Sequence, residues 1–219
     1  MKEKMDRPTN DDDVAVTQDG VTTVFRRAGR ADVPAISRSL SRAFFTDPVA
    51  SWLLPDVSRR HAILERFFQL ALDKIHLRHQ EVYVAGEGVA AAMWDPPGTW
   101  RPSPVDLIRV FSGLAPFMLS GLVRGFRVQT LLERKHPRVG HFYLAVLGTD
   151  PEHQNRGIGS ALLRHVLVRC DAEGIPAYLE ASSEDNRRLY LRHGFTVSEE
   201  IVLPGGGPPM WLMWREPRG

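Results

Sequence analysis

The sequence predicts an α/β (α+β) domain, a mixed, mostly antiparallel sheet of about seven strands with helices on both faces. Three observations carry that prediction. Strand-like runs recur seven times between turn residues; two early ones, "EVYVAG" and "GVAAAMWDPPG", pair as a hairpin near Gly86-Glu87-Gly88; and from residue 141 the order is strand, helix, strand, helix, hairpin.

Each element has its own signal. "VTTVFRRA" is the first strand. In "ADVPAISRSLSRAFFTDP", Val33, Ile36, Leu40 and Phe44 fall at helical spacing and Asp47-Pro48 closes the helix. "SRRHAILERFFQLALDKIHLRH" is amphipathic, with Leu64, Phe67, Phe68, Ala71 and Ile75 on one face. Residues 104–134 form a further helical region. Ile108, Phe111, Ala115, Met118, Leu122 and Phe126 are expected to line one face, and Gly113, Pro116 and Gly121 to break it into pieces. "HFYLAVLG" is a strand, "GIGSALLRHVLVRCDAEG" a helix ending at Gly174, "IPAYLEA" a strand and "DNRRLYLRHG" a short helix. "FTVSEEIVLP" and "PPMWLMWRE" close the chain as a hairpin across three glycines.

Residues 21–219 read as one domain, and 1–20, with the Asp11–Asp13 run and no large apolar cluster, as a disordered leader. The leader lacks the apolar core of a secretory signal. The longest uncharged apolar run, Val110–Val123, is short of the roughly 20 residues that span a bilayer, and Pro116 interrupts it. No membrane partner is expected. With 28 basic against 26 acidic residues the net charge is +2, too balanced to imply a nucleic-acid partner. The single cysteine, Cys170, falls in an apolar periodic run and is expected to be buried and inert. A cytoplasmic location follows by default.

The stretch "TDPEHQNRGIGSALLRHVL" (149–167) asks for an explanation beyond a tight turn, which needs only one glycine. A strand that runs through glycines into a helix presents unpaired N–H groups and the positive end of the helix dipole, a site for phosphate oxygens. Gly157 and Gly159 let a ligand approach those donors, Arg156 adds charge, and the amides of Gln154 and Asn155 add neutral donors. There is no Gly-Lys-Ser/Thr ending, so this is not a P-loop. The late position and the absence of a third glycine argue against a dinucleotide fold.

Gln154-Asn155-Arg156-Gly157-Ile158-Gly159 resembles the Q/R-x-x-G-x-G/A signature of the GNAT superfamily of acetyltransferases. "LEAS" (Leu179–Ser182), "NRRLYLRHGF" (Asn186–Phe195) and "MWLMWRE" follow in that family's order, so the resemblance spans 142–215. It implies a GNAT fold and acetyl-coenzyme A as co-substrate, with no metal. It places the pantetheine arm along Leu147, Gly148 and Thr149 and the pyrophosphate over Gln154, Asn155, Arg156, Gly157, Ile158, Gly159 and Ser160. The Leu147 N–H is the implied oxyanion donor, and Asn186 the implied partner of the pantetheine arm, with a helix N-cap as its alternative use.

Tyr190 is the candidate proton donor, since a phenol of pKa ~10 can protonate a thiolate whose acid lies near ~8.5. Glu180 is the candidate base. Alternation in "AYLEASS" puts it on one face with Tyr178, and a pairing with Arg187 or Arg192 is its structural alternative. For the acceptor side, Phe44, Phe45, Asp47 and Trp52 flank the corner between the first two helices, Trp94 ends a strand, Trp100 lies just beyond it, and 104–134 could form a lid. His76 and His79 have no carboxylate nearby in sequence, and a solvated helix end explains them.

The leading expectation is an acetyl-coenzyme A-dependent N-acetyltransferase acting on a primary amine of a small molecule. The nearest resemblance is to the aminonucleoside-antibiotic-modifying enzymes of the family. A protein lysine or N-terminal acetyltransferase and a catalytically silent acyl-coenzyme A sensor are the alternatives. Monomer and homodimer both stay open.

Overall fold

The computed structural model describes residues 14–18, 21–115 and 119–218. Its centre is one eight-stranded sheet in the order β1-β2-β3-β4-β5-β6-β8-β7. The strands are β1 Val14–Gln18, β2 Val21–Arg27, β3 Val82–Ala85, β4 Ala90–Asp95, β5 Phe142–Thr149, β6 Ala177–Ala181, β7 Thr196–Val202 and β8 Pro209–Arg215. Every neighbouring pair is antiparallel except β5 and β6, so the sheet is mixed.

The eighth strand is a correction at the N-terminus. Val14–Gln18, expected within a disordered leader, pairs along its whole length with β2, from Val14 opposite Phe25 to Gln18 opposite Val21. Its Val-Ala-Val-Thr run has the β-branched content that an edge strand uses. The remainder of the expected leader, 1–13 and 19–20, lies outside the described residues.

Helices cover both faces. α6 (Ile158–Glu173) and α7 (Glu184–Arg192) lie on one, where Leu162, Leu163, Val166 and Cys170 pack with Ala92, Trp94, Leu144 and Leu179. The other face carries α1 (Val33–Ala43) and α3 (Val57–Ala71), whose Ile36, Leu40, Leu64 and Phe68 meet Val82, Val84, Ala91 and Met93. α2 (Pro48–Leu53), α4 (Pro104–Leu114) and α5 (Leu119–Lys135) extend that layer. Asp47 does not simply close α1; its carboxylate caps a new helix by accepting the N–H groups of Val49 and Ala50.

The face expected for 104–134 is also corrected. Ile108 is 66% and Phe126 60% exposed, while Val110, Leu114 and Val128 are buried. Within α4 the buried face runs through Asp106, Val110 and Leu114, so it is turned away from Ile108. Phe111 does turn inward, but the side chains of Met118 and Leu122 lie outside the described residues. Gly113 is fixed by packing, since a Cβ there would stand 2.7 Å from Leu70 Cδ1.

Two irregularities position the site. β5 and β6 pair only over Phe142–Leu144 and Ala177–Leu179, after which the strands part. On its other edge, β5 is bulged. Met93 faces Val146 and Trp94 faces Leu144, leaving Ala145 as the extra residue. The extra residue shifts the alternation, so that Leu144 and Leu147 pack toward the α6 face but Val146 toward α1 and α3.

Candidate active site

The parting of β5 from β6 leaves a wedge with a strand edge on each side. Asp150 N–H donates to the Val89 carbonyl at 2.8 Å, toward β4. By alternation, the N–H groups of Thr149 and Leu147 project from the other edge of β5, into the wedge. Gly148 answers to a different demand. A Cβ there would lie 2.5 Å from Leu40 Cδ2 and 3.0 Å from Phe44 Cε2, so the glycine admits α1 against the sheet. Its expected closeness to a ligand arm is not what fixes it as glycine.

The turn after β5 is held by side chains. Gln154 Nε2 donates to the Thr149 carbonyl at 3.0 Å, and Arg156 Nη2 to the Glu152 carbonyl at 3.0 Å. Arg42 of α1 reaches Asp150 (3.2 Å) and Glu152 (2.6 Å), tying the turn to the opposite layer. Asn155 and Gly157 both take left-handed backbone angles, φ +60° and +75°. Gly157 is the N-cap of α6 and offers no side chain to cap it, so the first N–H groups of Ile158, Gly159 and Ser160 stay available. A Cβ on Gly159 would stand 3.7 Å from Thr149 Oγ1 and 3.9 Å from Leu147 Cδ2, in the notch between helix start and strand edge. Ser160 Oγ lies 3.0 Å from His193 Nε2. Burial, then Arg164, Arg192 and Arg215, push the His193 pKa down, which marks this end as cationic.

From the wedge a cavity of about 350 Å³ runs under α2–α5. Phe44, Asp47, Leu147, Glu180, Asn186 and Tyr190, singled out from sequence, all line it. Leu53, Leu64, Phe67, Phe68, Phe111 and Leu132 supply apolar wall.

Tyr190 is buried on α7, its ring against Phe195 at 6.0 Å, and its hydroxyl has no hydrogen bond among the described residues. Burial first and the Asp47 carboxylate second push its pKa up, so the phenol stays neutral at pH 7. Asp47 Oδ2 accepts from Ser182 Oγ at 2.5 Å, and Asn186 Nδ2 donates to the same Oγ at 3.3 Å. Burial raises the Asp47 pKa against those hydrogen bonds. The N-cap of α7 is Ser183, whose Oγ accepts the Asn186 N–H, so Asn186 keeps its side chain for the cavity.

The Glu180 side chain is only 5% exposed. Oε2 accepts from Tyr143 Oη at 2.8 Å, while Oε1 is buried without a hydrogen bond, 3.8 Å from His136 Nδ1. Neither arginine suggested for it is a partner. Arg187 pairs with Glu184 at 2.6 Å.

Four aromatic candidates fall elsewhere. Phe45 faces His61 and the Arg60 guanidinium, because its neighbour Phe44 turns inward and adjacent residues diverge. Trp52 packs under the β7–β8 turn, where a Cβ on Gly207 would meet its ring at 3.1 Å, with Arg124 over its face. Trp94 is fully buried in the α6-side core. Its strand alternates, and Ala91 and Met93 take the other face. Trp100 stacks on His136, rings 3.7 Å apart. Cys170 is buried and its thiol pushed up to about 12, hence inert. His76 and His79 do have a carboxylate: both reach Asp95 Oδ1 at 2.9 Å, brought in by β4 from outside their helix. No group of three or more metal-ligating side chains occurs among the described residues.

Tyr143, Tyr178, Ser182, His136 and His141 were not anticipated. Only Tyr143 and Tyr178 had a usable signal, as tyrosines at equivalent places on consecutive strands, and they sit opposite each other in the β5–β6 register.

The wedge, the β5 bulge and the glycine turn onto α6 all fall within one stretch that a family model matches. The acetyltransferase (GNAT) family model matches residues 92–195. The chain is an acetyl-coenzyme A-dependent N-acetyltransferase with the GNAT fold. An uncharacterised N-acetyltransferase of Schizosaccharomyces pombe is 24% identical over 208 residues, 88% of this chain and 83% of that protein. Among solved structures, a Corynebacterium glutamicum protein described as histone acetyltransferase HPA2 and related acetyltransferase superposes with a TM-score of 0.66 at 29% identity, covering 89% of this chain and 96% of that one. Arylalkylamine N-acetyltransferase 2 of Aedes aegypti shares the fold, with a TM-score of 0.60 at 13% identity over 90% of this chain and 99% of its own. No helix among the described residues is long and apolar enough to cross a membrane.

Proposed function

We propose that this acetyltransferase acts on the primary amine of a small molecule with an apolar body. The supporting observation is the cavity of about 350 Å³ that joins the wedge to the α2–α5 layer, with Glu180 and Tyr190 among its titratable groups, beside Asp47 and Tyr143, and rings and leucines as its walls. A volume of that size suits an enclosed small ligand. A lysine on a protein surface needs an open groove, whereas α4 and α5 wall this space on one side. Carrying both an acid and a base is of no use to a silent sensor.

The carrier is assigned to the wedge and the α6 turn. The N–H groups of Leu147 and Thr149 bond the pantetheine arm as an added strand would, and the N–H groups of Ile158, Gly159 and Ser160, with Arg156, take the pyrophosphate. Leu147 N–H polarises the thioester carbonyl. Asn186 holds the arm from the other side. Glu180 takes the amine proton and Tyr190 returns one to the departing sulfur.

Within this class an aminonucleoside antibiotic is the more specific proposal. Its basis is resemblance to puromycin N-acetyltransferase at Ala43-Phe44, Asp47-Pro48, Pro151–Gln154, Leu179-Glu180 and Tyr190–Phe195. A thiol-release assay with acetyl-coenzyme A against aminonucleosides, arylalkylamines, aminoglycosides, polyamines and a histone-tail peptide tests the reading. Turnover is expected with amines that carry an apolar body; turnover confined to the peptide would overturn it.

A further inference from the structure

A base that accepts a proton in every turnover must also lose it. Tyr143 Oη already donates to Glu180 Oε2, and Oε1 faces His136 Nδ1 at 3.8 Å with no hydrogen bond of its own. The His136 side chain is 3% exposed. It is stacked on Trp100 and edge-on to Tyr143 and Tyr178 at 4.8 Å each, so its ring cannot turn freely.

The hydrogen positions follow from what each partner can do. The Val139 carbonyl only accepts, so His141 Nδ1, 2.6 Å from it, carries a hydrogen. Burial pushes the His141 pKa down and the ring is neutral, which leaves a lone pair on Nε2. His136 Nε2, 3.0 Å away, must therefore donate. A neutral His136 then has a bare Nδ1 aimed at Glu180.

We propose that His136 and His141 are positioning residues: His136 relieves Glu180 of the amine proton, and His141 fixes the His136 tautomer that can receive it. This inference rests on the base role given to Glu180 above. The acceptor's ammonium N–H bond breaks as an O–H bond forms on Glu180. That O–H bond then breaks as an N–H bond forms at His136 Nδ1, leaving a carboxylate beside an imidazolium. The imidazolium yields that same Nδ1 proton, so that the tautomer is kept, to water in a second crevice, which His136 lines together with Trp100, Thr130, Glu133, Arg134 and Arg138. Both groups end in their starting state.

The charges around His136 suit such a transit. Glu180 and Tyr178 face it from β6, Tyr143 from β5 and His141 from the segment before β5. Arg101, Arg134, Arg138 and Glu133 stand around the second crevice. The near carboxylate draws the proton in, and the arginines disfavour its staying. The amine proton would thus leave by a mouth other than the one the carrier uses.

Two measurements test this. Imidazole ¹⁵N spectra of the wild-type protein should show His136 protonated at Nε2 and bare at Nδ1 when neutral, and Glu180→Gln should shift the His136 Nδ1 resonance. The opposite tautomer, or a His136 that Glu180→Gln does not move, would overturn the proposal. In kinetics, His136→Phe keeps the stack on Trp100 and should lose about tenfold in kcat, less than a direct acid–base group supplies. KM for acetyl-coenzyme A should hold, and added imidazole should restore turnover. Full kcat, or a loss that imidazole leaves untouched, counts against the relay. If Glu180→Gln retains turnover, the base reading falls and takes the relay with it. If Glu180→Gln is crippled while His136→Phe is not, the relay alone falls. Should His136→Phe fail to fold, the spectra of the wild-type and Glu180→Gln proteins decide.

Discussion

The two ends of the cavity are built on different principles. At the carrier end, the groups assigned to the ligand, Asn186 apart, come from one stretch, Leu147–Ser160, and most are backbone N–H groups whose direction is set by strand alternation and by positive φ at Asn155 and Gly157. At the acceptor end, side chains from α2, α3, α4, α5 and β8 converge from points up to some 160 positions apart. One end depends on dihedral angles and the other on packing. The first tolerates few residue types but is local. The second can change its amine by exchanging a leucine for a phenylalanine while the chemistry next to it stays put.

That contrast can be broken or sharpened by mutation, from the largest effect down. Glu180→Gln should lower kcat about 10³-fold with little change in KM for acetyl-coenzyme A. Tyr190→Phe should cost about 10²-fold in kcat. Because burial and Asp47 raise the Tyr190 pKa, the phenol keeps its proton through the ordinary tyrosine range near ~10, so the wild-type alkaline limb attributable to it should lie above that value. The same shift has a stability sign. The contribution is fully present below the unfolded-state pKa and lost as pH rises toward the folded one, so thermal melts should soften above pH ~10.

The glycines separate the two principles. Gly148→Ala drives a Cβ into Leu40 and Phe44 and should cost about 1–3 kcal/mol of stability, read as a fall in Tm. Gly157→Ala forces an L-residue to φ +75°, worth about 1–2 kcal/mol. Gly159→Ala meets only ordinary contacts and should leave Tm nearly unchanged, yet its methyl fills the notch beside Thr149 and Leu147 and should raise KM for acetyl-coenzyme A. A Gly159→Ala protein with normal KM would show that the notch is not on the carrier's path.

Legibility in the sequence follows the same divide. The succession of strands along the chain from β3 to β8, the turn onto α6 and the shared cavity position of Glu180 and Tyr190 were readable because each is signalled within about ten residues. Phe44 could be picked from its corner, but Phe45, Trp52 and Trp94 could not be told from it. Whether a ring at such a corner faces a cavity, an arginine or the core depends on partners that lie from 15 residues away, as Arg60 does from Phe45, to 155, as Gly207 does from Trp52. The β5 bulge at Ala145 had no marker, and it decides which residues of that strand face the α6 side. His76 and His79 look solvated along the chain and are clasped by Asp95 in space.

Three residue pairs are all that stitch β5 to β6. On the proposed reading, the rungs missing beyond Leu144 are supplied by the carrier's own amide groups, so the sheet is completed by a molecule the chain does not encode. Ligand and fold are then thermodynamically one object. A carrier at a hundred times its dissociation constant would add about 2.7 kcal/mol to the unfolding free energy, enough for the metabolic supply of acetyl donor to set how long each copy of the enzyme survives.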